Sequence, residues 1–288
     1  MGDRVFAVRN NYYLGAYQTA INEGADLEDL SELDSIERDY FTYRAYIAQG
    51  SCQVVIDEIH NDAATALQGV KLFAQLLSSD TQKDAVLEQL QGWLADPVSN
   101  SNPYLLAMAG CIYLHVGDLA EALKAVHSTS SLELFAIQIQ CLLKLDRVDL
   151  AERQVKSMQA MDDDATLTQL ATAWVDMAIG GAKVQEAFHI YQDLGDKYTW
   201  TNALYNGLAA CNMQMGRWDE AESTLLEALN KDGKDPDTLA NMVTCALHTG
   251  RPSSRHLNQL KLVAPAHVLV QKLDSFEDSF NRAATGFA

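Results

Sequence analysis

The chain has 288 residues, of which 48% are hydrophobic and 21% charged, and a formal charge of −18 at neutral pH. That length and balance describe a folded chain able to bury a sizeable core. The acidity and the lack of any basic run work against binding nucleic acid or an anionic membrane surface, both of which need clustered Lys and Arg.

The opening residues show no basic stretch followed by an apolar run, so no signal peptide is expected. No segment of ~18 consecutive apolar residues occurs to span a bilayer. Met1-Gly2-Asp3-Arg4-Val5-Phe6 lacks the Ser or Thr that myristoylation needs, and no prenylation box ends the chain. A cytoplasmic protein is expected by elimination. Five dispersed cysteines (Cys52, Cys111, Cys141, Cys211, Cys245) fall in predicted helix interiors and form no C-x-x-C pair, which suits a reducing compartment.

Residues 1–100 read as irregular helical repeats. Gly15-Ala16-Tyr17-Gln18-Thr19-Ala20 matches the entry to the second helix of a hairpin, and Arg38–Ala48 is an aromatic helix ending at Gly50. Helices over Ala63–Leu77 and Ala85–Leu94 follow, before Asp96-Pro97. From 103 to 250 the repeats are clearer. Asn102-Pro103 and Asp235-Pro236 each place a capping side chain before a proline in the first helical turn, where its missing N–H is not needed. Gly117-Asp118-Leu119-Ala120-Glu121-Ala122 is a turn into a second helix, echoed by Asp146-Arg147-Val148-Asp149-Leu150-Ala151 in a shortened unit, Leu132–Met161. Leu167–Gly195 turns at Ile179-Gly180-Gly181-Ala182.

The clearest unit runs from Asn202 to about Asp235. Leu204, Leu208, Cys211 and Met215 share one face of its first helix, Gly216 stops it in the left-handed conformation, and Ala221, Leu225 and Ala228 face inward from the second. Gly250 follows Gly216 by 34 residues, and the inner alanines Ala122, Ala151, Ala187 and Ala221 are spaced by 29, 36 and 34. A helix, a glycine turn and a second helix at this period are the mark of the tetratricopeptide repeat (TPR). One unit cannot bury its apolar face alone, so units stack. The expected fold is all-α: a single TPR-like helical-hairpin solenoid over residues 1–288, coiled as a tight superhelix. A capping region over 255–288 would end it, with a final helix over Pro265–Phe280.

Motifs that would carry chemistry are broken. Asp162-Asp163-Asp164 lacks the fifth-position Asp of a prenyl-transfer site, where Thr166 stands, and lacks the Gly and Glu of a calcium loop. It reads as a cap for the next helix. Gly180-Gly181-Ala182-Lys183 lacks the spaced glycine and the hydroxyl residue of a phosphate loop. The histidines show no metal-binding spacing, and no nucleophile motif occurs. No enzyme activity, cofactor, metal or small-molecule substrate is expected. His115 and His248 occupy equivalent repeat positions, which favours a structural or groove-lining role.

In this repeat the concave surface is lined from first helices at positions 2, 5, 9 and 12. Those positions are Tyr104, Ala107, Cys111 and Leu114; Glu133, Ala136, Gln140 and Leu143; Gln169, Thr172, Asp176 and Ile179. Later units give Ala203, Asn206, Ala210 and Met213, then Asp237, Ala240, Thr244 and Leu247. No Lys or Arg stands among them, so the groove suits an apolar protein segment better than a charged peptide end. The partner-binding set expected from this is Tyr104, Ala107, Leu114, Ala136, Leu143, Thr172, Ile179, Asn206, Met213, Ala240 and Leu247.

Three stretches carry a more specific resemblance: Arg9-Asn10-Asn11-Tyr12-Tyr13-Leu14-Gly15-Ala16-Tyr17-Gln18, Glu37-Arg38-Asp39-Tyr40-Phe41-Thr42-Tyr43-Arg44-Ala45-Tyr46, and Asp164 through Trp174. With Leu142–Arg147, Asn206-Gly207 and Gly216-Arg217-Trp218, the chain resembles the coatomer epsilon-subunit family over nearly its whole length. The resemblance implies a TPR solenoid curled around the C-terminal domain of the coatomer alpha subunit. It implies a structural role in Golgi-to-ER and intra-Golgi transport, with no catalysis and no cofactor. It also implies peripheral attachment to Golgi membranes and coated vesicles through the coat. The repeat pattern alone leaves two alternatives, a cytosolic TPR adaptor or co-chaperone and an all-helical isoprenoid transferase; the missing basic clamp and the broken Asp motif count against them.

Overall fold

The computed structural model describes residues 3–127 and 131–286, apart from the side chain of residue 80. The expected lack of myristoylation at Gly2 and of a prenylation box at the last residues thus lies partly outside the described residues. Among those described there are helices and no strand, and none of the helices is long and apolar enough to cross a membrane. They divide into two compact units, Met1–Ile179 and Gly180–Ala288.

The first unit is built from hairpins. They are α1 (Phe6–Leu14) with α2 (Tyr17–Asp26), α3 (Glu32–Ala48) with α4 (Cys52–Glu58), α5 (Thr65–Ser78) with α6 (Lys83–Ala95), α7 (Pro103–Val116) with α8 (Leu119–Ala125), and α9 (Leu132–Lys144) with α10 (Val148–Asp162). A last helix, α11 (Thr166–Ile179), packs on both α9 and α10. The start of α3 lies six residues before the expected Arg38, because Ser31 caps it by accepting the Asp34 N–H at 3.2 Å. The seven-residue α4 has no counterpart among the expected helices.

Local chemistry sets the ends of these helices. Asn102 Oδ1 accepts the N–H groups of Tyr104 and Leu105 at 3.0 and 3.2 Å, directly before Pro103. Gly117 then ends α7 at φ 85°, a left-handed conformation that a Cβ would disfavour. In the shortened α9–α10 unit the same turn is made by Asp146 at φ 56°, one of the few residue types that tolerates it.

First helices touch one another in series, α1 on α3, α3 on α5, α5 on α7, α7 on α9 and α9 on α11. The series then closes, because α1 also packs on α11. At that seam the Thr166 hydroxyl donates to Asn10 Oδ1 at 2.5 Å, with both residues buried. The first unit is therefore a ring of six first helices, with second helices α2, α4, α6, α8 and α10 paired to them. Its core runs as adjoining clusters: Val8, Tyr40, Phe41 and Val70; then Leu72, Leu90, Ile112 and Leu134; then Ile139, Ala151, Met158 and Ala171.

The second unit comprises α12 (Lys183–Lys197), α13 (Asn202–Gln214), α14 (Trp218–Lys231), α15 (Pro236–His248), α16 (Ser254–Val263) and α17 (Val268–Thr285). Ala221, Leu225 and Ala228 of α14 are wholly buried; the first two cluster with Ala209, Met242 and Cys245, as the small-residue seam predicts. Asp235 Oδ2 accepts the Thr238 N–H at 2.8 Å to cap α15, and Gly216 and Gly250 take φ 73° and 69°. Arg217 donates to Gln185 at 3.1 Å and Arg251 to Asp219 at 3.2 Å, the same contact displaced by one repeat. Near the end of the chain, Val270 of α17 packs with Leu239, Ala240 and Leu260.

Candidate functional site

The ring of the first unit surrounds a cavity of about 570 Å³, inside the roughly 300–1,000 Å³ range of ligand pockets. Every first helix contributes to its wall. Tyr12 and Tyr13 come from α1, Arg44, Ile47 and Ala48 from α3, and Phe73 and Leu77 from α5. Cys111, Leu114 and His115 come from α7, Glu133, Ala136, Ile137, Gln140 and Lys144 from α9, and Leu167, Leu170 and Trp174 from α11. Among second helices only α2 takes part, through Tyr17.

One side of the wall holds a buried ion pair. Arg44 Nη1 donates to Glu133 Oε1, with the two residues 8% and 9% exposed. The guanidinium carbon lies 4.6 Å from the Tyr12 ring centre and 4.7 Å from that of Tyr40, a cation–π cradle. The Tyr40 hydroxyl approaches the other carboxylate oxygen at 3.4 Å. Burial opposes charge on Arg44, but Glu133 and the tyrosines outweigh it and hold the guanidinium firmly protonated. Burial pushes the phenols of Tyr12, Tyr13 and Tyr40 well above their ordinary range, so they stay neutral. The Cys111 thiol is likewise pushed up, to about 11, chiefly by burial. This side of the wall therefore holds Cys111 as a thiol rather than a thiolate.

The expected groove residues fall in several settings. Leu114 and Ala136 line the cavity together with Cys111, Glu133 and Gln140. Tyr104 stands outside the wall, its ring 4.8 Å from that of Tyr40, and Ala107 is wholly buried in the core. Leu143 packs half-buried on the α9–α11 cluster, Thr172 donates to its own helix at the Thr168 carbonyl, and Ile179 is 43% exposed. In the second unit, Asn206 Nδ2 donates to Asp235 and Thr238 at 3.0 and 2.9 Å, while its Oδ1 accepts from Asn241. Met213 packs half-buried on the α13–α15 cluster, Ala240 is buried, and Leu247 is 62% exposed.

Sequence reasoning missed Tyr12, Tyr13, Arg44, Phe73 and Trp174. On α11 the residues facing the cavity follow the repeat pattern started at Thr166, two residues before the expected register. The first three of the missed residues lie in the very stretches that carry the family resemblance, as does Trp174. That was the available signal. Of the other motifs, Asp162 Oδ1 accepts the N–H groups of Asp164 and Ala165 at 3.2 and 3.1 Å, a local turn before α11. His115 lines the cavity edge-on to Phe73, whereas His248 stacks on Trp218 with ring centres 4.1 Å apart.

A family described as coatomer epsilon subunit matches residues 1–288. The chain is 52% identical to coatomer subunit epsilon-1 of Arabidopsis thaliana over 286 residues, covering 99% of this chain and 98% of that protein. It is 33% identical to coatomer subunit epsilon of Dictyostelium discoideum over 296 residues, 99% of each. Among solved structures, a tetratricopeptide repeat protein from Parabacteroides merdae superimposes with a TM-score of 0.62 over 90% of this chain and 97% of that one. At 14% identity that likeness speaks for the fold alone, and it supports a TPR-like helical solenoid. With the family match running the whole length and sequence relatives covered almost end to end, the chain belongs to the coatomer epsilon subunit family.

Proposed function

We propose that this chain binds the C-terminal domain of the coatomer alpha subunit and stabilises it, with a segment of that domain seated in the cavity of the first unit. Family membership makes the chain a structural, non-catalytic subunit of the coatomer vesicle coat in transport between Golgi and ER. Its place is that of the coat, in the cytoplasm and at Golgi membranes, and the attachment we propose is peripheral, through its coat partners. The observation that carries the alpha-subunit reading is convergence. The three stretches that carry the family resemblance, in α1, α3 and α11, meet around one largely apolar cavity. Large apolar surface of that kind is seldom left open.

Calorimetric titration of the chain with the alpha C-terminal domain tests this. A tight one-to-one complex is expected for the wild-type chain. Filling the cavity with Ala136→Trp is expected to weaken it at least roughly tenfold, since a bulky ring competes for the partner's space. No binding between demonstrably folded partners would leave a TPR adaptor with another protein partner.

A further inference from the structure

We propose that Arg44 is the residue by which the cavity recognises what enters it. The entering segment is an uncharged loop whose apolar side chains surround a main-chain or amide carbonyl. This inference rests on reading the cavity as a partner site. It adds the chemistry of the occupant and names the donor that holds it.

Three observations carry it. The first is a surplus of donors. A guanidinium has five N–H donors in a planar fork, and here one nitrogen bonds Glu133 while the faces rest on Tyr12 and Tyr40. No other described residue accepts a hydrogen bond from Arg44, although it is only 8% exposed and lines the cavity. The remaining N–H groups are not among the enclosed unpartnered atoms and so open on the cavity, where a ligand can accept from them. The second observation is charge. Glu133 already balances Arg44, so a carboxylate brought to Arg44 would meet a charge already paired and would be desolvated there, while Lys144, the other cation of the wall, is exposed. A neutral carbonyl meets the free donors without that penalty. The third is the apolar part of the wall. Burial holds Tyr12 and Tyr13 neutral, and Ile47, Phe73, Leu114, Ala136, Leu170 and Trp174 are apolar or aromatic. Such a wall gains from apolar side chains on both sides of the carbonyl.

The test uses the whole chain and the alpha C-terminal domain. In Arg44→Met/Glu133→Leu both charges go together, which buried ion pairs tolerate far better than losing one. Circular dichroism would establish that this variant is folded, and calorimetry should show binding weakened roughly 10–100-fold. Wild-type affinity in the folded double variant would overturn the role of Arg44 and leave the partner reading standing. If the double variant does not fold, the side-chain N–H resonance of Arg44 in isotope-labelled wild-type chain decides. It should move on saturation with the domain, and an unmoved signal overturns the inference. Glu133→Gln separates neutral from charged occupants, because it leaves Arg44 with net positive charge. Affinity within about threefold of wild type is expected for a carbonyl. A tenfold gain would show a carboxylate in the occupant and overturn the uncharged loop. No heat at all with folded wild-type chain would remove the partner reading, and this inference with it.

Discussion

In the second unit the bonds that join successive hairpins repeat with the sequence. Arg217 reaches Gln185, Arg251 reaches Asp219 and Asn206 reaches Thr238, each across 32 residues. In the first unit the side-chain bonds that organise the ring do not repeat. Arg9 to Glu37 spans 28 residues, Arg44 to Glu133 spans 89, and Thr166 to Asn10 spans 156. The difference follows from geometry. A stack that continues by translation reuses one contact, whereas a series that closes on itself needs a seam and a centre, each made once. Buried charge and a cluster of tyrosines gather where the repeat symmetry is broken. The regular part of the chain supplies stacking, and the irregular part supplies the cavity.

The largest expected effect probes the centre of the ring. Glu133→Ala leaves the Arg44 charge buried without its partner and should cost about 3–5 kcal/mol. Hydrogen exchange should show protection falling across α1, α3 and α9 while α13–α15 keep theirs. A loss spread equally over both units would erase the contrast between them. Gly207→Ala is the matching probe in the second unit. A Cβ there would lie 2.5 Å from the Tyr191 ring, where α12 and α13 approach closely. Overpacking of that kind should cost about 1–3 kcal/mol in urea unfolding, unless the ring can swing aside. Removing one member of the repeated series should matter least. Arg251 is half exposed where it pairs with Asp219 and Glu222, so Arg251→Ala should shift stability by less than about 1 kcal/mol. A larger shift in thermal unfolding would mean that the repeated contacts hold the stack together rather than decorate it.

These contrasts explain what the sequence makes legible. Hairpins in the regular region are written in short-range chemistry: Asn102-Pro103, Asp235-Pro236, and glycines at 117, 216 and 250 that take positive φ. Such signals act within a few residues, so a reader needs no tertiary knowledge to place them. The cavity is different. Arg44 is one charge in an aromatic helix until α9 brings Glu133 to it, and nothing local reports an approach across 89 residues. The α11 register depends on how that helix packs on α1, α9 and α10 together, which a period counted from neighbouring glycines does not contain. The repeat period reaches Cys111, Leu114, Glu133, Ala136 and Gln140 of the wall, whereas Tyr12, Tyr13, Arg44 and Trp174 are signalled only by the resemblance of particular stretches, read as whole words rather than as a period.

The seam between Asn10 and Thr166 also sets an order of events during synthesis. Helix α1 leaves the ribosome early, yet its partner α11 follows after 156 more residues. At elongation rates of roughly 5–20 residues per second, that is a wait of about 8–30 s. Throughout it, Tyr13 and the flank of α1 that will meet α11 stand uncovered, as does the interior of the unfinished ring. Folding of this unit is thus limited by a contact of very high sequence separation, and a nascent chain halted before Thr166 would present the aromatic lining of the site as a sticky open edge.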